Sequence, residues 1–310
     1  MSQAIWHEKQ KGRTIEGPFG SVVHLDLRHL GEAYLRERLP QIYELAEEFM
    51  GIDPAHECIP VLPGVHYTMG GMLADGKTAS PLPGLYSVGE CSSVGIHGAN
   101  RLGSNSLTEL IVFGKVAGNE AARFAKSVAI SNPGAIAKQA EAAQARALGL
   151  VSNPKGTERM AVLRTEMAKS MEDGCGIYRL GTTMQETCNK IDELRVRYKN
   201  LKLEDKSKVY NTEWLLGIEL GYLLDVAQTM VYSAINRKES RGSHQRLDGF
   251  EQRDDAKYLK HSLAYYTGDG APRIEYGDVK ITKSKPGTRA YGAAGVQADE
   301  ERKKQGAANG

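Results

Sequence analysis

The sequence predicts an α/β unit, then an antiparallel helical bundle, then a small C-terminal α+β module. Three observations predict this order. A short apolar run, "GLYSVGE" at 84–90, leads through a glycine-rich loop into a periodic helix at 106–126. Three long stretches between 155 and 240 repeat apolar residues at helical spacing, each bounded by Gly, Asn or Asp. After 240 that pattern ends, and "RIEYGDVKIT" at 273–282 reads as a strand.

Composition narrows the field. A chain of 310 residues suits about two domains. Its 41% hydrophobic and 25% charged residues are those of an ordinary globular protein. A net charge of +2 is too mild for a nucleic-acid or polybasic membrane footprint. No apolar run reaches the roughly 18–20 residues of a membrane span. "MSQAIWHEKQKGRTIEG" lacks the apolar core and cleavage site of a signal peptide. Cys58, Cys91, Cys175 and Cys188 make no C-x-x-C pair, which argues against a zinc or iron–sulfur cage within the chain and fits a reducing compartment.

The elements follow in order. Residues 1–20 read as an irregular lead-in, and "SVVHLDLRHL" (21–30) as a strand that Gly31 breaks. The next stretch is helical, with Leu35, Leu39, Ile42, Leu45, Ala46 and Phe49 on one face and Gly51 as stop. Pro40 inside it implies a kink or two shorter helices. Residues 52–88, rich in Pro and Gly, read as loop and short strand, and 84–90 as a buried strand. Small polar residues before 106 are fit to cap the helix there. Pro133-Gly134 marks a boundary before a helix or linker, and the bundle helices are read at 155–174, 182–203 and 212–240. The tail from Gly292 reads as frayed.

The chemistry concentrates in "GECSSVGIHGANRLGSNSLTEL", 89–110. A strand, a glycine-rich loop and a helix start present backbone N–H groups to an anion or cofactor. Arg101, five residues before Ser106, can grip a carboxylate bidentately or tie loop carbonyls together, and both readings stay open. His66, in "GVHYTMGG", can donate to an anionic substrate or be a satisfied structural imidazole. Gly70 and Gly71 after it suggest close backbone approach to something flat or bulky. Glu90 can take ribose hydroxyls or cap local N–H groups, and His97 is equally open. Between 237 and 261, Arg241-Gly242, His244, Arg246, Asp248 and Arg253-Asp254-Asp255 form a solvated face or an interlocked ion network. Such a network could pin a loop over a site or face a partner. No G-x-G-x-x-G occurs in the chain, so it holds part of a cofactor site without the phosphate-binding turn.

Four stretches, "VHYTMGG", "GLYSVGECSSVGIHGANRLGSNSLTEL", "EDGCGIYR" and "ESRGSHQRLDGFEQRDD", resemble the succinate dehydrogenase/fumarate reductase/L-aspartate oxidase flavoprotein family. "EYGDVKITKSKPGTRAYG" favours the bacterial fumarate reductase branch. The resemblance spans essentially the whole chain and corresponds to the C-terminal half or so of a full flavoprotein. It implies FAD as cofactor and reduction of fumarate to succinate in anaerobic respiration, by hydride transfer to one alkene carbon and proton delivery to the other. It implies that His66 and Arg101 bind the dicarboxylate, that Glu90 contacts the flavin nucleotide, and that Asn105, Ser106 and Leu107 contact FAD at the helix start.

The resemblance further implies a fragment cut inside a capping domain. The proton-donating arginine, the N-terminal glycine motif and the histidine that carries FAD are expected upstream of Met1, and the fragment alone is expected to be inactive. Residues 1–60 would be a capping-domain remnant and 61–130 the last part of the FAD-binding domain. Residues 131–240 would be the helical bundle and 241–310 the small C-terminal module. The implied partners are fumarate and succinate, an iron–sulfur subunit and, through it, membrane anchor subunits, with no nucleic acid. The implied location is peripheral, on the cytoplasmic face of the inner membrane. The alternatives are a succinate dehydrogenase or L-aspartate oxidase flavoprotein, or a non-catalytic piece that docks on an iron–sulfur subunit.

Overall fold

A computed structural model of the chain describes residues 1–17, 20–129 and 133–283. The tail from Gly292, expected to be frayed, lies outside the described residues.

The lead-in is ordered, contrary to the sequence expectation. Helix α1 (Ser2–Gln10) has no side-chain cap, and it is stabilised tertiarily: Trp6 meets Tyr178 edge-on at 4.7 Å. Strands β1 (Ile15–Gly17) and β2 (Gly20–Leu25) pair antiparallel. The expected strand at 21–30 stops at Leu25, and Arg28–Leu30 is a 3-10 turn. Pro40 does split the next helix. Helix α2 (Glu32–Arg38) ends before it, and α3 (Pro40–Met50) begins on it, where its missing N–H costs nothing. Gly51 closes α3 in the left-handed conformation, at φ +63°. Strand β3 (Ile59–Val61) then pairs antiparallel with β2, with Val23 opposite Val61, completing a three-stranded sheet.

The segment that positions the site follows. Strand β4 (Met72–Leu73) pairs parallel with β5 (Ser92–Ser93). The expected strand at 84–90 is replaced by a single bridge, Ala79 with Tyr86, and a 3-10 turn at Gly89–Cys91. The reason is packing against α4 (Asn105–Ser127). Gly89, at φ +80°, sits so close to Leu110 that a Cβ there would stand 2.5 Å from its Cδ2.

The bundle holds the core. Helix α5 (Pro133–Ser152) begins at the expected boundary and is a full helix. Strand β6 (Glu158–Arg159) leads into α6 (Met160–Cys175), and α7 (Gly181–Tyr198) runs into β7 (Leu201–Lys202), which pairs parallel with β6. Helix α8 (Thr212–Asn236) is capped by Asn211, whose side chain accepts the Trp214 N–H at 2.8 Å. Leu163, Ile191, Leu194, Leu201, Leu203, Leu220 and Leu224 form one buried cluster among these elements. Helix α9 (Asp255–Tyr258) precedes a hairpin of β8 (Lys260–Tyr265) and β9 (Arg273–Asp278), of which the sequence reading found only the second strand. No helix among the described residues is long and apolar enough to cross a membrane.

Candidate functional site

The site is built on the loop between β5 and α4 and on the loop before β4. Tyr67 anchors it. Its hydroxyl donates to Glu109 Oε2 at 3.1 Å, and the same oxygen lies 2.7 Å from His97 Nε2. Glu109 is buried, in the second turn of α4. His97 and Tyr67 also meet edge to face, with centroids 5.4 Å apart. Burial and the bond to Glu109 push the Tyr67 phenol up to about 12, so it stays a protonated donor at ordinary pH.

Arg101 lies over the Tyr67 ring. Its guanidinium carbon sits 4.5 Å from the Tyr67 ring centroid. Nη1 donates to the Leu102 carbonyl at 3.1 Å. Nε is buried and has no hydrogen-bond partner among the described residues. His66, next to Tyr67 in the chain, is exposed. Glu90 is exposed as well, and its Oε1 accepts the Thr68 N–H at 2.8 Å. That contact ties the His66 loop to the 3-10 turn at Gly89–Cys91. Gly71, at φ +137°, is pressed against the backbone of Cys91 and Ser92, where a Cβ would collide.

Helix α4 opens with Ser104 at φ +64°, and no side chain caps it. The expected cap from the small polar residues is therefore not made. Asn105, Ser106 and Leu107 form an open first turn that bears the positive end of the helix dipole.

The charged stretch after α8 is an interlocked network. Glu239 is fully buried. It accepts from Arg237 at 2.6 Å, from Arg241 at 2.8 and 2.9 Å, and from the Asp254 N–H at 2.9 Å. Arg241 also bonds Asp255 at 2.6 Å. Arg246 pairs bidentately with Asp248, at 2.8 and 2.5 Å. His244 is buried beside Arg179, whose Nη1 lies 2.8 Å from its Nδ1. Burial, and then the Arg179 charge, lower the His244 imidazole to about 4.

Comparison with known proteins decides the kinship. Residues 164–291 match the family model described as the fumarate reductase flavoprotein C-terminus, and residues 1–107 match that of an FAD binding domain. The fumarate reductase flavoprotein subunits of Proteus vulgaris and Escherichia coli are 53% and 52% identical to it, over 100% of this chain and 52% of theirs. The chain belongs to the fumarate reductase/succinate dehydrogenase flavoprotein family. A succinate dehydrogenase flavoprotein subunit of Rickettsia bellii is more distant, at 37% identity over 91% of this chain and 48% of its own. A solved Escherichia coli quinol fumarate reductase chain superposes with a TM-score of 0.88 at 53% identity, covering 93% of this chain and 49% of that one. The chain thus spans about half the length of the curated relatives it matches.

Within this family member, the structure brings Arg101 and His97 together around Tyr67 and Glu109, with His66 one residue away in the chain. Glu90 joins through Thr68. Sequence reading missed Tyr67 and Glu109. The available signal was that Glu109 is the single charge within the apolar run "LTELIVF".

Proposed function

We propose that this chain forms the dicarboxylate-gripping half of a fumarate reductase active site, with FAD as cofactor. One observation carries the reading: Arg101 Nε is buried beside the site without an acceptor among the described residues. A buried donor left unpaired costs about 1–3 kcal/mol, and more when charged. A substrate carboxylate would supply that acceptor and the countercharge together. The Tyr67 ring beneath the guanidinium holds its plane, and Glu109 holds the ring. His66, exposed on the adjoining loop, would donate to the second carboxylate.

In this reading the two groups do more than bind. They draw electron density from the alkene toward a carboxylate, so their contacts strengthen as negative charge develops in the transition state. Bound FAD would supply the hydride. Glu90, Asn105, Ser106 and Leu107 would hold it, and the uncapped first turn of α4 suits an electron-rich cofactor edge. The exposed Glu90 carboxylate suits hydroxyl donors. No residue here is assigned the proton transfer, which is proposed for an arginine of the capping segment upstream.

The identity to fumarate reductases, against 37% to a succinate dehydrogenase, favours fumarate as substrate. We assign residues 1–60 to the capping domain, 61–130 to the FAD-binding domain, 131–240 to the helical domain and 241–310 to a C-terminal module. An iron–sulfur subunit and, through it, membrane anchors are the proposed partners, with the protein peripheral on the cytoplasmic face of the membrane. The test is fumarate-dependent oxidation of a reduced viologen by the protein at its relatives' full length. Arg101→Gln is expected to lower kcat/KM about a hundredfold or more. Turnover within threefold of wild type would refute the assignment.

A further inference from the structure

We infer that the turn Arg241–His244 is a positioning device for Arg101, gripping from the C-terminal module the loop that carries it. This deepens the dicarboxylate reading and rests on it. The turn is tight. Its ends exchange backbone bonds, from the Arg241 N–H to the His244 carbonyl at 2.8 Å and back at 3.0 Å. Gly242 takes φ +60° at the tip, as such two-residue turns require.

The tip rests on the site loop. Ser243 donates twice to the Ala99 carbonyl, from its N–H and from its hydroxyl, each at 3.0 Å. Gly242 lies against the same carbonyl, where a Cβ would collide. Ala99 is two residues before Arg101. A second contact comes from β8. His261 packs on Gly95, 3.3 Å from where a Cβ would stand. Together these bracket His97, which is itself held on Glu109. The loop is therefore fixed at Gly95, His97 and Ala99, just ahead of Arg101.

The base of the turn is rigid. Arg241 is clamped by buried Glu239 and by Asp255. His244 is held between Arg179 and the Arg237 carbonyl, the latter 3.0 Å from its Nε2. Buried ion pairs of this kind add little net stability, but losing one partner leaves an uncompensated buried charge, so the arrangement resists loosening. A loop with glycines at 95, 98 and 103 has many conformations to lose, and a clamp displaced by about 1 Å can forfeit about a hundredfold in rate. The network thus holds Arg101 in place without touching the substrate.

The test compares Ser243→Ala, Ser243→Thr and Gly242→Ala with wild type in this chain. Hydrogen exchange of residues 95–103 and calorimetric titration with fumarate are the readouts. Ser243→Ala is expected to raise exchange in that loop about fivefold, leave the bundle unchanged, and weaken fumarate binding about fivefold. Ser243→Thr keeps both donors and should restore both values, while Gly242→Ala should exceed Ser243→Ala. Unchanged loop exchange would overturn the inference. So would raised exchange with wild-type fumarate affinity. If wild type binds no fumarate, the dicarboxylate reading fails. The Arg101 Nε–H NMR resonance then decides the inference: a shift in Ser243→Ala that Ser243→Thr reverses supports it, and an unmoved resonance overturns it.

Discussion

At the residue scale, the proposed site turns on how one cation is held without an ion-pair partner among the described residues. Arg101 is stacked on Tyr67 and donates to the Leu102 carbonyl, and among the described residues its Nε has no acceptor. Removing the ring should cost binding directly. Tyr67→Leu is expected to weaken fumarate affinity about 3- to 30-fold, the worth of a partly desolvated cation–π contact. Tyr67→Phe keeps the ring and loses only the Glu109 bond, so its effect should be smaller; calorimetry of both variants checks the order. Arg101, His66 and Glu90 stood out in the sequence because glycines and small polar residues surround them, and the family resemblance alone assigned them roles. Glu109 was not. A glutamate in a helix reads as a solvated charge, and only the folding of the 95–101 loop onto α4 brings His97 to it.

At the element scale, local signals succeeded where a single residue dictates the backbone. Pro40 split α2 from α3, and helical spacing marked α6, α7 and α8. They failed where tertiary contact decides. Helix α1 has no cap and gains its order from Trp6 and His7 against Tyr178. Residues 84–90 are too closely packed on α4 through Gly84 and Gly89 to run as a strand. The turn after α8 carries its own pH dependence. Burial lowers His244 to about 4, and the charges of Arg179, Arg246 and Arg237 add to the shift. Between about pH 6.5 and 4 the unfolded chain binds a proton there that the folded chain does not, so stability falls as pH falls through that window. The loss is expected to reach about 3 kcal/mol. Denaturant titrations at pH 7 and pH 4.5 should show it, and His244→Gln should remove that part of the slope.

At the scale of the whole molecule, the buried apolar core and the proposed clamp lie in different parts of the chain. The buried apolar clusters lie between Val151 and Ala234. The site half instead leaves Leu107 at 65% and Ile111 at 75% exposed. Limited proteolysis should therefore cut first between about 62 and 104, and Leu194→Ala, in the bundle core, should destabilise by about 2–5 kcal/mol. Early cleavage within α7 or α8 would contradict this distribution. The half that is least buttressed in this chain is the half that carries the proposed clamp. The decisive experiment is a calorimetric titration of this chain with fumarate, beside Arg101→Gln and the monomethyl ester of fumarate. Saturable 1:1 binding by wild type, lost in Arg101→Gln and weakened for the monoester, is the expected result. Equal binding by wild type and Arg101→Gln, or none by either, would contradict the claim that Arg101 grips a dicarboxylate.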